Sequence, residues 1–159
     1  MKRPLLKQTD KLIMIMVDGF GVPEEGFANS LYAEYCPKRF IDLLQNFSIP
    51  LDACLGVEGI PQSATGQTTL FTGVNAAEYC GMHMQAFPGP SLRELIRKRN
   101  VYSILLERGY RPAFANSYIR HSPAELLELR YASVTTVMSE SLPQGVFRLP
   151  DLRRPDREE

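Results

Sequence analysis

Six apolar residues in a row, Leu12-Ile13-Met14-Ile15-Met16-Val17, stop at Asp18-Gly19. A half-exposed strand alternates apolar and polar side chains. This run does not, and it reads as a strand covered on both faces, as in a parallel sheet. It is far too short to span a bilayer. Asp10-Lys11 precede it and no small-residue cleavage site follows, so it does not read as a secretory leader. Asp18-Gly19-Phe20-Gly21 then forms a turn at the strand's carboxyl end, where open α/β sheets bind ligands. The run therefore predicts an α/β fold, a mostly parallel sheet flanked by helices.

The rest of the chain supplies elements for such a fold. Residues 22–37 read as loop, with Pro23, Gly26, Asn29 and Pro37. Residues 38–46 put Phe40, Ile41, Leu43 and Leu44 on one helical face. Ile49 to Cys54 predicts a short second strand. Residues 59–73 predict a loop and then a helix that closes at Thr72-Gly73. Residues 80–90 form a Gly- and Pro-rich loop. Ser91 with Glu94 is a capping box for a helix to about Arg99. Residues 101–109 predict a helix closed by Gly109, and residues 111–117 a short strand and turn. Pro123 opens a helix through residues 124–130. Residues 134–140 are β-branched at first and then helix-permissive. The pattern fails after Leu142, giving a domain over residues 1–142 and a charged, Pro-rich tail over 143–159.

Eighteen acids balance eighteen bases, which argues against nucleic acid or an anionic membrane as partner. At 159 residues the chain is one domain by default and can bury roughly 70% of its unfolded surface. Cys36, Cys54 and Cys80 are odd in number and widely spaced, which fits free thiols in a reducing cytoplasm better than a disulfide framework.

Chemistry is concentrated in Ile60–Gly73, IPQSATGQTTLFTG. Ser63 stands where a helix can begin. Its hydroxyl, and an incoming phosphate, would meet backbone N–H groups and the positive end of the helix dipole. Serine is a poor nucleophile until a base or metal removes its proton, and a divalent ion held by Asp18 could lower its pKa. Either residue alone has a plain reading: Asp-Gly as a turn, serine as a cap. Thr65 and Gln67 add donors near Ser63. His83, in the Gly-rich loop, is a candidate phosphate contact or a structural hydrogen-bond donor, and Asn116 is a candidate substrate contact or a turn former. Arg93, Arg97, Lys98 and Arg99 read as a solvated basic helix end. A serine hydrolase does not fit, because the local string PQSATG is not GxSxG and no acid–His pair accompanies it.

The segment resembles the nucleophile loop of the alkaline phosphatase superfamily, in which a Ser or Thr opens a helix and a glycine follows ten residues later, as Ser63 and Thr72-Gly73 do. Asp18-Gly19 resembles that superfamily's first metal-binding aspartate. The likeness is nearest to the cofactor-independent phosphoglycerate mutase and phosphopentomutase branch, including its small bacterial metalloenzymes. It is carried by residues 17–23, 60–76, 83–96 and 107–118. One departure lies inside the motif: the mutases carry Gly-His where this chain has Gly66-Gln67.

The resemblance implies an alkaline-phosphatase-like core and a site with two divalent ions, manganese, magnesium or zinc. Asp18 would be a ligand, and Ser63 both ligand and nucleophile, forming a phosphoserine. Thr65, Gln67, His83 and Asn116 would face a small phosphorylated metabolite. Relatives place further Asp and His ligands in a second half, whereas His83 and His121 are the only histidines here and neither lies in a DxxxH pattern. The expectation is therefore an incomplete core with second-site ligands absent and phosphotransferase or phosphohydrolase activity impaired. The alternative is a non-catalytic truncated remnant or a subunit of a split metalloenzyme. An incomplete core would also self-associate or lack a C-terminal half.

Overall fold

The computed structural model describes residues 11–116, 118, 121–128, 131–143, 145 and 146. Among these the fold is helical. A 3-10 turn at Phe27–Asn29 leads into α1 (Leu31–Tyr35) and α2 (Lys38–Phe47). There follow α3 (Ser63–Thr72), α4 (Ala76–Cys80), α5 (Pro90–Lys98), α6 (Val101–Glu107), α7 (Pro123–Glu128) and α8 (Val134–Ser139). The chain divides into two compact units, one over residues 12–53 and one containing the described residues from Cys54 onward.

Among the described residues the expected parallel sheet is not there, and the α/β assignment is corrected to a helical fold. Residues 12–17 have no regular secondary structure and are 39–86% exposed. Ile49 and Leu51, in the expected second strand, are 81% and 82% exposed. The expected strand over 111–117 amounts to an isolated bridge residue, Ala115, among the described residues. The physical reason is that a strand is completed by its neighbours. Its backbone groups need a partner strand, and a short apolar run does not specify one.

In the unit over residues 12–53, aromatic rings supply the packing. Phe20 lies 6.2 Å from Phe27, 5.1 Å from Tyr32 and 6.3 Å from Phe40 between ring centroids. The Tyr32 hydroxyl donates to the Gly21 carbonyl at 3.1 Å. Helix α2 forms where expected, but only Ile41 of its apolar face is buried, and Phe40 and Leu43 remain 40% and 53% exposed.

The second unit has two apolar clusters joined by α3. Phe71 joins Ile96, Ala132, Val134, Val137 and Met138. Ala64 joins Ala76 and Leu92. Helix α3 is rich in threonine, a modest helix former whose hydroxyl is costly to bury unpaired. Its own carbonyls satisfy those hydroxyls. Thr68 donates to Ala64 at 2.7 Å, Thr69 to Thr65 at 2.9 Å and Thr72 to Thr68 at 2.7 Å. Gly73, at φ 75°, supplies the left-handed cap that ends the helix.

Helix α5 starts two residues earlier than the capping box predicts, with Gly89 rather than Ser91 as N-cap and Pro90 in the first turn. Helix α6 is capped by Asn100. The segment 134–139 is helical and nearly all buried, so its β-branched residues fill the core rather than a sheet. Arg97 and Glu140 tie the ends of α5 and α8 through two contacts of 2.8 and 3.3 Å. Helix α4, for which no element was expected, is capped by the Asn75 side chain and closed by Gly81. The three cysteines are free and partly buried, and burial raises the Cys80 thiol above its ordinary pKa. Of the expected tail, residues 144 and 147–159 lie outside the described residues, as do residues 129 and 130 of the α7 segment.

Candidate functional site

Ser63 is the first residue of α3. Gln62 before it is extended, at φ −130° and ψ 151°, and makes no side-chain cap. A helix of ten residues concentrates partial positive charge at this end. Ser63 is partly exposed, as is Gln67, one helical turn on and on the same face.

The loop before Ser63 is held from several directions. Asn75 Nδ2 donates to the Leu55 carbonyl at 2.9 Å. His83 Nε2 stands 3.1 Å from the Val57 carbonyl, and the Cys54 thiol 3.8 Å from the Gly59 carbonyl. Carbonyl oxygens only accept, so Nε2 of His83 carries its proton there. The chain after His83 then pairs with the first turn of α3. Met84 N–H donates to Thr65 Oγ1 at 3.3 Å, and Ala64 N–H to the Met84 carbonyl at 3.2 Å. The result is a serine mounted on a clamped strand-like entry into a helix.

The same bonds define what each candidate residue can do. Thr65 is fully buried. Its hydroxyl accepts from Met84 and donates to the Gln62 carbonyl at 3.3 Å, so it secures the turn below Ser63. The His83 proton on Nε2 is likewise committed to the loop, leaving Nδ1 as the ring's other polar atom. One N–H of the α3 first turn, that of Ala64, is spent on Met84. Gln67 keeps a partly exposed amide one turn from Ser63. Asn116 lies exposed after Ala115. Asp18 belongs to the unit over residues 12–53, where its Oδ1 accepts from Gly19 N–H at 3.1 Å in the predicted turn.

A metal centre of the expected kind needs more donors than these. Hard divalent ions take about six oxygen ligands and zinc about four ligands. Among the described residues, no three His, Cys, Asp or Glu side chains gather where they could hold an ion. The donor set of Asp18 and Ser63 does not fit a two-metal centre. Among the described residues, no helix is long and apolar enough to cross a membrane.

Sequence reasoning missed Asn100, the most fully engaged polar residue of this unit. It is completely buried. Its Oδ1 accepts from Tyr102 N–H at 2.9 Å and Ser103 N–H at 3.2 Å. Its Nδ2 donates to the Ile96 carbonyl at 3.0 Å and to Ser141 Oγ at 2.9 Å. The signal was present as Asn100 followed three residues later by Ser103, a capping-box spacing. Asn100 joins α5, α6 and the end of α8, so its role is structural.

Comparison with protein-family models, curated proteins and solved structures gave no match.

Proposed function

We propose that this chain carries the serine-bearing loop of a metal-dependent phosphoryl-transfer centre for a small phosphorylated metabolite, with Ser63 as the phosphoryl acceptor. The observation that carries this reading is the position of Ser63: first residue of a ten-residue helix, partly exposed, on a loop clamped by Asn75 and His83. The helix end favours the negative charge of a phosphate ester. Gln67 supplies an amide on the same face. The spacing from Ser63 to Gly73 supports the resemblance to the alkaline phosphatase superfamily, whose mutase branch transfers phosphoryl groups through such a serine.

A second reading is favoured by a specific observation. The described residues gather no metal-binding cluster. On this reading the chain is a non-catalytic remnant or one subunit of a split metalloenzyme. The two readings share the phosphate-binding role of the Ser63 loop and differ in turnover. With manganese, magnesium or zinc supplied, the chain alone is expected to hydrolyse p-nitrophenyl phosphate at background rate. Robust turnover abolished by Ser63→Ala would establish the catalytic reading and overturn the ligand deficit. Absence of any phosphate-ester contact at the Ser63 loop would overturn both.

A further inference from the structure

Residues 81–89 join α4 to α5 and meet the start of α3 on the way. The segment is anchored at both ends. Met82 N–H donates to the Ala77 carbonyl at 3.1 Å, and Arg93 Nε donates to the Pro88 carbonyl at 2.9 Å. Between these anchors Met84 pairs with the first turn of α3. Its carbonyl accepts from Ala64 N–H at 3.2 Å, and its N–H donates to Thr65 Oγ1 at 3.3 Å. Both bonds lie at the long, weak end of N–H···O geometry. Ala64 N–H comes before the first intrahelical bond, from Gly66 N–H to the Gln62 carbonyl at 2.9 Å. It is therefore one of the donors that a helix start offers to an anion, and a peptide carbonyl of this chain occupies it.

After Met84 the segment turns outward. Gln85, Ala86 and Phe87 are exposed. Ala86 sits at φ 59°, and among the described residues it shares a positive φ, outside glycine, with Leu55 alone. Leu55 lies in the loop that Asn75 fastens ahead of Ser63. A left-handed alanine is strained, and such strain collects at switches and ligand clamps. The Met84 side chain works the other way, packing against Ala64, Ala76 and Leu92. We propose that residues Met84–Phe87 are an autoinhibitory strap. Closed, its Met84 carbonyl holds the Ala64 N–H in place of a phosphate oxygen. Open, it releases that donor and the strain at Ala86 together. On the phosphoryl-transfer reading of the Ser63 loop, on which this regulation rests, phosphate binds in proportion to the open fraction. The backbone preference of residue 86 then sets the affinity.

The test is amide-resolved hydrogen exchange of the full chain, with and without inorganic phosphate, in the wild type, Ala86→Gly and Ala86→Val. Glycine accepts a positive φ without strain, and a β-branched residue resists it. The side chain is exposed, so the helical circular-dichroism signal should not change. Without phosphate, Ala86→Gly should slow exchange of the Met84 and Ala64 amides about fivefold, and Ala86→Val should speed it about as much. Phosphate affinity should follow, about fivefold weaker in Ala86→Gly and about fivefold tighter in Ala86→Val. At saturating phosphate the Met84 amide should lose protection while the Ala64 amide keeps it. Phosphate shifts at residues 62–67 with Met84 still protected, or with equal affinity in all three proteins, would overturn the strap and leave the Ser63 reading standing. Met84 and Ala64 exchange unchanged by both substitutions would also overturn the strap. No phosphate binding in any of the three would overturn the Ser63 reading and the strap with it.

Discussion

His83 Nε2 stands 3.1 Å from the carbonyl oxygen of Val57, twenty-six residues earlier in the chain. The ring also lies over Gly59, where an added Cβ would come within 3.3 Å of its Cδ2. One imidazole therefore fixes the entry to the Ser63 helix while Met84, its neighbour, bonds the first turn of α3. His83→Ala should cost about 1 kcal/mol of stability and speed amide exchange of residues 55–60. Equal exchange rates in variant and wild type would show that the ring does not hold the loop.

Gly59 sits at φ 120°, a region that side-chain-bearing residues rarely adopt. Gly59→Ala combines that strain with a close approach to His83, and a loss of about 1–3 kcal/mol is expected from the backbone alone. Denaturant unfolding checks it. The double variant Gly59→Ala/His83→Ala should be less costly than the sum of the two single changes, because the steric part disappears with the ring.

Asn100→Ala removes a helix cap and leaves the Ile96 carbonyl and Ser141 hydroxyl without their buried partner. The expected loss is about 2–4 kcal/mol. Asn100→Asp keeps the acceptor for Tyr102 and Ser103 but not the donors, so it should fall between wild type and alanine. A urea midpoint unchanged by Asn100→Ala would contradict the capping geometry.

The clearest agreement between sequence and structure is at local punctuation. Gly73 and Gly109 end helices where expected, Pro123 opens one, and Ser63 begins one. Each of these signals acts within a few residues, through a cap, a fixed φ or a positive φ. The strands were misjudged because a strand depends on a partner that the run itself does not name. Residues 12–17 have the composition of a buried strand, but among the described residues they join no ladder. Residues 134–140 were ambiguous in the sequence, β-branched at first and then helix-permissive, and tertiary burial decides for a helix over Val134–Ser139. At the candidate site, Ser63 was legible from its spacing to Gly73. The structural duty of Thr65 was not, since it depends on a contact across nineteen residues; His83 takes the structural hydrogen-bond role its loop position allowed, with a partner twenty-six residues away that the sequence did not name.

Glu125 supplies a pH-dependent element away from Ser63. Its carboxylate accepts from Ser122 N–H at 2.7 Å and from Ser122 Oγ at 2.9 Å, and these bonds hold its pKa below the ordinary carboxylate value. A depressed folded pKa stabilises the start of α7 above the unfolded carboxylate pKa and is lost as pH falls through the folded one. The N-terminal turn of α7 should therefore fray on acidification below the usual glutamate range, seen as shifts of the Ser122–Leu126 amides. Glu125→Gln should remove that pH dependence. An α7 start equally ordered through the acid range in the wild type would contradict it.

The most direct measurement is an amide-resolved NMR titration of the full chain with p-nitrophenyl phosphate, with and without magnesium. The account predicts shifts centred on residues 62–67, weakened about tenfold in affinity by Ser63→Ala, while the folded spectrum elsewhere is unchanged. Shifts scattered over the surface, or a Ser63→Ala variant that binds as well as the wild type, would contradict the proposed role of this loop.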